Sequence, residues 1–171
     1  HHRAMTTCKP GMCEYQIEAE LHHEFTFNNA RSPAYGSIVA GGDNANILHY
    51  TENTDVLNAG DLLLIDAGGE LAGYAADITR TFPINGKFSE HQAIIYQLVL
   101  DAQNLAINAI KPGQTLAELN RIVGEFFTTE LHKLGILSGD LVTLIEENAC
   151  KRYFIHGLGH WLGLDVHDVG D

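Results

Sequence analysis

No stretch of this sequence approaches the roughly 20 consecutive apolar residues that a membrane-spanning helix needs. The first residues also lack the basic-then-apolar layout of a secretory leader. Positive charge is scarce: 10 Lys and Arg stand against 22 Asp and Glu, for a formal charge of −12. That balance excludes a basic nucleic-acid-binding surface. Cysteine is scarce too. Cys8, Cys13 and Cys150 are odd in number and no C-x-x-C is present, which excludes a disulfide framework and a thiolate zinc site. These absences lead to the expectation of a cytoplasmic protein with reduced cysteines. What remains is 45% hydrophobic residues, 19% charged residues and 17 glycines, the composition of a domain with a core and not of an acidic disordered tail.

Helical signals are local and well marked. Ser89 and Gln92 form a capping box ahead of Ile94, Ile95, Leu98, Val99, Leu105 and Ile110, and Lys111-Pro112-Gly113 ends the stretch. Thr115 and Glu118 form another, followed at helical spacing by Leu116, Leu119, Ile122, Val123, Phe126 and Phe127, with Gly135 as the stop. A shorter helix is expected from Asp140 to Ala149. The beginning of the chain echoes this pattern: Lys9-Pro10-Gly11, Ile17, Leu21 and Phe25 match Lys111-Pro112-Gly113, Leu119, Val123 and Phe127 at a constant offset of 102 positions. A duplicated unit explains the shared offset. Its first copy would occupy 1–88 and its second 89–171, the first cut at its start and the second at its end.

Strands are expected at Ser37–Ala40, Ile47–Tyr50, Leu62–Ala67 and Tyr74–Phe82, punctuated by glycine-rich and asparagine-rich turns. A turn centred between Leu71 and Ala72 would set Asp66 directly opposite Asp77. Like charges so placed repel unless a shared cation or a shared proton neutralises them. The alternative is that Asp66 opens the Ala67-Gly68-Gly69 turn while Asp77 is an ordinary hydrogen-bonded strand residue.

A second constellation runs from His156 to Asp168 and holds three histidines, His156, His160 and His167, among Leu158, Trp161, Leu162, Leu164 and Val166. Its three glycines oppose a helix, so an extended or looped backbone is expected. Burying unpartnered imidazoles in such apolar company is costly, which favours a clustered site. His49, on an expected strand, is a third candidate, with a half-buried strand residue as its alternative. Arg80 could pair with a carboxylate, either structurally or on a substrate. Carboxylates with added histidine suit manganese, iron, cobalt or zinc. Two ions sharing a carboxylate describe a hydrolase that polarises a carbonyl while histidines donate to the developing oxyanion.

At these residues the sequence resembles the Xaa-Pro aminopeptidase (aminopeptidase P) branch of the pita-bread metallopeptidases. Asp66-Ala67-Gly68 followed by Gly73 to Pro83 is similar to that family's carboxylate hairpin, and His156 through Asp168 to its histidine signature. The resemblance implies an α+β pita-bread fold, a duplicated helix-helix-strand unit around a curved antiparallel sheet, here with its second unit incomplete. It implies two manganese ions, or zinc, cobalt or iron, held by Asp66, Asp77 and His160, with Asp77 shared between them. It further implies that His156, His167 and His49 lie near the substrate and the oxyanion. The implied activity is removal of the N-terminal residue from peptides with proline second; a proline dipeptidase and a non-catalytic peptide-binding fragment are the alternatives. Trp161 favours the aminopeptidase. The family pattern also has two glutamate ligands on later strands, with no equivalent before Asp171; Glu146 and Glu147, on a helix upstream of the histidines, are poor substitutes. A homo-oligomeric parent acting on proline-containing peptides, and an inactive chain in isolation, are therefore expected.

Overall fold

The computed structural model describes residues 1–170, which fall into two compact units. The first comprises residues 1–89 together with the chain from Trp161 onward, and the second runs from Glu90 to His160.

In the first unit, α1 (His2–Thr7) and α2 (Glu14–Phe27) lie against a three-stranded antiparallel sheet in the order β2 (Ile38–Gly41), β3 (Leu62–Asp66), β6 (Thr79–Pro83). The sheet's alternation sorts its side chains. Val39, Leu63 and Ile65 are fully buried and join Ala4, Ile17 and Leu21 in the core. The other face carries Ile38, Ala40 and Leu64, with the buried Tyr50 packed on them, and ends at Asp66. A second small sheet, β1 (Ser32–Pro33), β4 (Gly69–Leu71) and β5 (Tyr74–Ala75), extends the hairpin.

The second unit packs α3 (Glu90–Ala109) on α4 (Leu116–Lys133), followed by α5 (Leu141–Glu146) and a 3-10 turn at Ala149–Arg152. Its core is Leu98, Ala102, Val123, Phe127, Leu131, Leu137 and Cys150. Thr115 caps α4 as its sequence predicts, with Glu118 accepting from the Thr115 amide at 3.0 Å and the Thr115 hydroxyl receiving the Glu118 amide at 3.2 Å. Gly135 ends it at φ 72°, and the Asp140 carboxylate caps α5 through the Thr143 amide at 3.0 Å. The loop geometry recurs at the same offset of 102: Gly11 and Gly113 both take φ near 90°, at 89° and 86°, and Gln16 accepts from the Cys13 amide as Glu118 does from Thr115.

Two expected strands come out differently. Ile47–Tyr50 is not a strand: a 3-10 turn at Gly42–Asn46 precedes it and His49 takes φ 55°. The cause is Tyr50, whose hydroxyl donates to the buried Glu14 carboxylate at 2.7 Å and so draws the chain inward, leaving Ile47 and Leu48 exposed. Tyr74–Phe82 is broken at 76–78 into β5 and β6. All three cysteines are free, and among the described residues no helix is long and apolar enough to cross a membrane.

Candidate metal centre

The hairpin that carries Asp66 and Asp77 turns at Ala72-Gly73, both with positive φ (53° and 85°) and flanked by the pair Leu71 and Tyr74. That is the conformation of a two-residue hairpin turn matched to strand twist, and Gly73 was its sequence signal. The turn therefore centres one residue later than the sequence spacing suggested, and Asp66 faces Thr79 instead of Asp77. The pairing continues through the break between strands, with the Ala67 amide on the Ile78 carbonyl and the Ala76 amide on the Gly69 carbonyl, each at 3.1 Å. In this register Asp77 lies across from Gly68, two positions from Asp66. A two-residue displacement preserves the sheet face, so the aspartates are diagonal neighbours on one side.

Gly68 makes that arrangement possible. A Cβ built there would lie 1.7 Å from the Ala76 carbonyl oxygen, so only glycine lets the two backbones approach this closely.

Tyr35, which sequence reasoning did not single out, joins the carboxylates. Its hydroxyl hydrogen-bonds Asp66 Oδ1 and lies 2.9 Å from Asp77 Oδ1. The loop before β2 delivers it, because Ile38 pairs with Asp66 and the chain just ahead of Ile38 runs beside the end of β3. No local motif marks such a tyrosine; the β2–β3 pairing would have been needed to find it. Burial, with the two carboxylates as acceptors, raises the Tyr35 phenol far above its ordinary value, so it remains a donor. One phenolic hydrogen cannot serve both carboxylates at once. Burial raises Asp66 above the usual carboxylate range, and the negative charge of Asp77 adds to it, against the opposing bond from Tyr35. Two half-buried carboxylates converging on one hydroxyl form an oxygen-donor pair of the kind that suits a divalent cation.

His49 is exposed in the first unit, just after the 3-10 turn. His167 is exposed in the first unit's C-terminal loop, which is held by the Asp168 carboxylate accepting from the Leu164 amide at 2.9 Å and by Gly163 accepting from the Ala75 amide at 2.8 Å. His156 and His160 are exposed in the second unit, where His156 and Glu146 line an open cavity of about 690 Å³ with Asn120, Arg121 and Lys151. The looped backbone from 156 to 168 matches expectation. Its burial does not: Trp161, Leu162 and Leu164 are exposed, so the apolar-enclosure argument for a histidine cluster fails here. Among the described residues no group of three or more His, Cys, Asp or Glu is gathered to hold a metal, and within the first unit the structure brings together Asp66 and Asp77. Arg80 forms no ion pair among the described residues; it donates to the Thr79 carbonyl at 2.7 Å.

A carboxylate pair on a hairpin of an α+β fold is the donor layout of a metal-dependent hydrolase. The profile of metallopeptidase family M24 matches residues 1–171, and the chain belongs to that family. It is 58% identical over 170 residues to the Xaa-Pro aminopeptidase of Haemophilus influenzae and 53% identical over 170 residues to that of Escherichia coli, covering 99% of this chain in each case but 40% and 38% of the relatives. It thus spans about two-fifths of the length of these curated relatives. A solved structure of zinc-substituted E. coli aminopeptidase P in complex with product matches with a TM-score of 0.97 at 53% identity, over 99% of this chain and 38% of that one. The fold is therefore the α+β pita-bread fold, covered in part. Other solved structures of the E. coli protein carry alanine in place of two aspartates and three histidines, and the intervals between those five positions equal the intervals between His49, Asp66, Asp77, His156 and His167.

Proposed function

We propose that this chain is the metal-carrying part of an exopeptidase that releases the N-terminal residue from peptides with proline at the second position. The observation that carries the reading is the Asp66–Tyr35–Asp77 cluster, two carboxylates converging on one hydroxyl on a hairpin that only Gly68 permits. The names of the relatives and the matching intervals of their replaced aspartates and histidines support it. Asp66, Asp77 and His160 are the residues that would hold divalent ions, manganese in the cell, and such ions when bound would supply Lewis acidity for cleavage of the bond before proline. Tyr35 donates its one phenolic hydrogen to Asp66 and so orients that carboxylate, with Asp77 Oδ1 2.9 Å from the same hydroxyl. His156 donates to the oxyanion that develops on that carbonyl, while His49 and His167 orient the peptide. The chain comprises two pseudo-repeats, 1–88 and 89–171, and the full-length protein acts in the cytoplasm as a homo-oligomer.

The experiment uses a full-length protein containing this chain, loaded with manganese and offered Xaa-Pro, Xaa-Pro-Xaa and Xaa-Ala-Xaa peptides. Release of the first residue from Xaa-Pro-Xaa, with little from Xaa-Ala-Xaa, is expected. Cleavage confined to the dipeptide would instead make it a proline dipeptidase.

A further inference from the structure

Glu14 is a fully buried ionisable side chain with no part in the chemistry above. It opens α2, and its carboxylate collects four donors. Oε1 accepts from the Gly41 amide at 2.8 Å and Asn44 Nδ2 at 3.0 Å. Oε2 accepts from the Tyr50 hydroxyl at 2.7 Å and the Asp55 amide at 3.0 Å. These donors are spread along the segment from 41 to 55, so a single carboxylate ties both ends and the middle of the loop that carries His49. Asn44 Nδ2 also reaches Asp55 Oδ2 at 2.9 Å, which closes the loop on itself. Asn53 adds a second strap: buried and at φ 49°, it accepts from the Val39 amide at 3.0 Å and donates to the Ser37 carbonyl at 2.8 Å, standing in for a missing neighbour along β2.

His49 itself makes no hydrogen bond or ion pair among the described residues. Its ring is held only by its own backbone, at φ 55°, and by the anchored Tyr50 that follows it. A buried carboxylate with no Lys or Arg partner is a costly way to close a loop, and apolar packing would serve stability as well. What four directional bonds supply is a fixed position.

We propose that Glu14 is a positioning residue for His49, acting through Tyr50 and Asn44 to hold the substrate-side imidazole at one place beside the sheet. The proposal rests on the reading of His49 given above. In manganese-loaded full-length protein, kcat and KM for a Xaa-Pro-Xaa peptide are measured for wild type, Glu14→Gln, His49→Ala and the double variant, with bound metal assayed in each. Glu14→Gln is expected to lower kcat/KM by about tenfold to a hundredfold with metal content unchanged. The loss should fall on the same parameter, kcat or KM, as in His49→Ala, and the double variant should lose no more than His49→Ala alone. Tyr50→Phe, which deletes one donor and keeps the ring, should show a smaller loss with the same non-additivity, and it decides the matter if Glu14→Gln does not fold. Losses that add in the double variant, or that track metal content, would overturn the positioning role and leave His49 untouched. A His49→Ala protein with wild-type kinetics would overturn the reading of His49 itself, and this proposal with it.

Discussion

Asp66 sits in a conflict between its surroundings and its charge. Burial and the neighbouring Asp77 favour its protonated form, while Tyr35 and Thr79 favour the carboxylate, and the net shift is upward. Without metal the folded chain therefore holds that proton more tightly than the unfolded chain, whose aspartates titrate near about 3.9. Below that value both states are protonated and Asp66 costs nothing. As pH rises from there through the higher folded value, the folded state must give up a proton it prefers to keep, so stability is lost and then levels off. Asp66→Asn should accordingly raise the thermal midpoint of the metal-free protein at pH 7 and lose that advantage below about pH 4, because asparagine needs no charge-balancing partner. Melting curves across that range check it; a wild type that gains on the variant with rising pH would contradict it. The same conflict was half visible in the sequence. The two aspartates and their common face could be read from spacing, whereas Tyr35, 31 positions from Asp66, carries no motif and is brought in by strand pairing alone.

The hairpin shows why elements were easier to read than their register. Helix ends depend on residues three or four apart, so the Thr115–Glu118 box and the Gly135 stop announced α4 correctly. The hairpin's register depends on which two residues form the turn. Counting from the carboxylates assumed direct opposition, but Ala72-Gly73 with positive φ is the turn the glycine permits, and it shifts the partner of Asp66 to Thr79. His49's surroundings were misread for a longer-range reason: Glu14, 36 positions before Tyr50, overrides the strand pattern by drawing the tyrosine inward. Gly68 is the element's fixed point. Gly68→Ala places a carbon against the Ala76 carbonyl oxygen and must move the 76–78 backbone. It should destabilise the protein by about 1–3 kcal/mol or more, as overpacking does, and it should weaken metal binding by separating Asp77 from Asp66. Denaturant unfolding measures the first consequence and calorimetric titration of manganese into the variant the second; wild-type affinity would show that the close approach is not needed.

At the scale of the whole chain, the surplus of negative charge favours capture of cations, since a net charge of −12 concentrates divalent ions near an acidic site. The fold class and family were legible because two long motifs, at 66–83 and 156–168, are specific to the family. The degree of burial around the histidines was not legible, since apolar letters do not say whether a loop is covered. Trp161, Leu162, Leu164 and Val169 are all exposed. The central claim is that Asp66 and Asp77 together hold the ions on which cleavage depends, and bound metal per chain in full-length protein tests it most directly. After chelation and equilibration with manganese, wild type should regain two ions and peptide cleavage, whereas Asp77→Asn should lose most bound metal and stay inactive. An Asp77→Asn protein that binds manganese with wild-type stoichiometry and affinity would contradict the account.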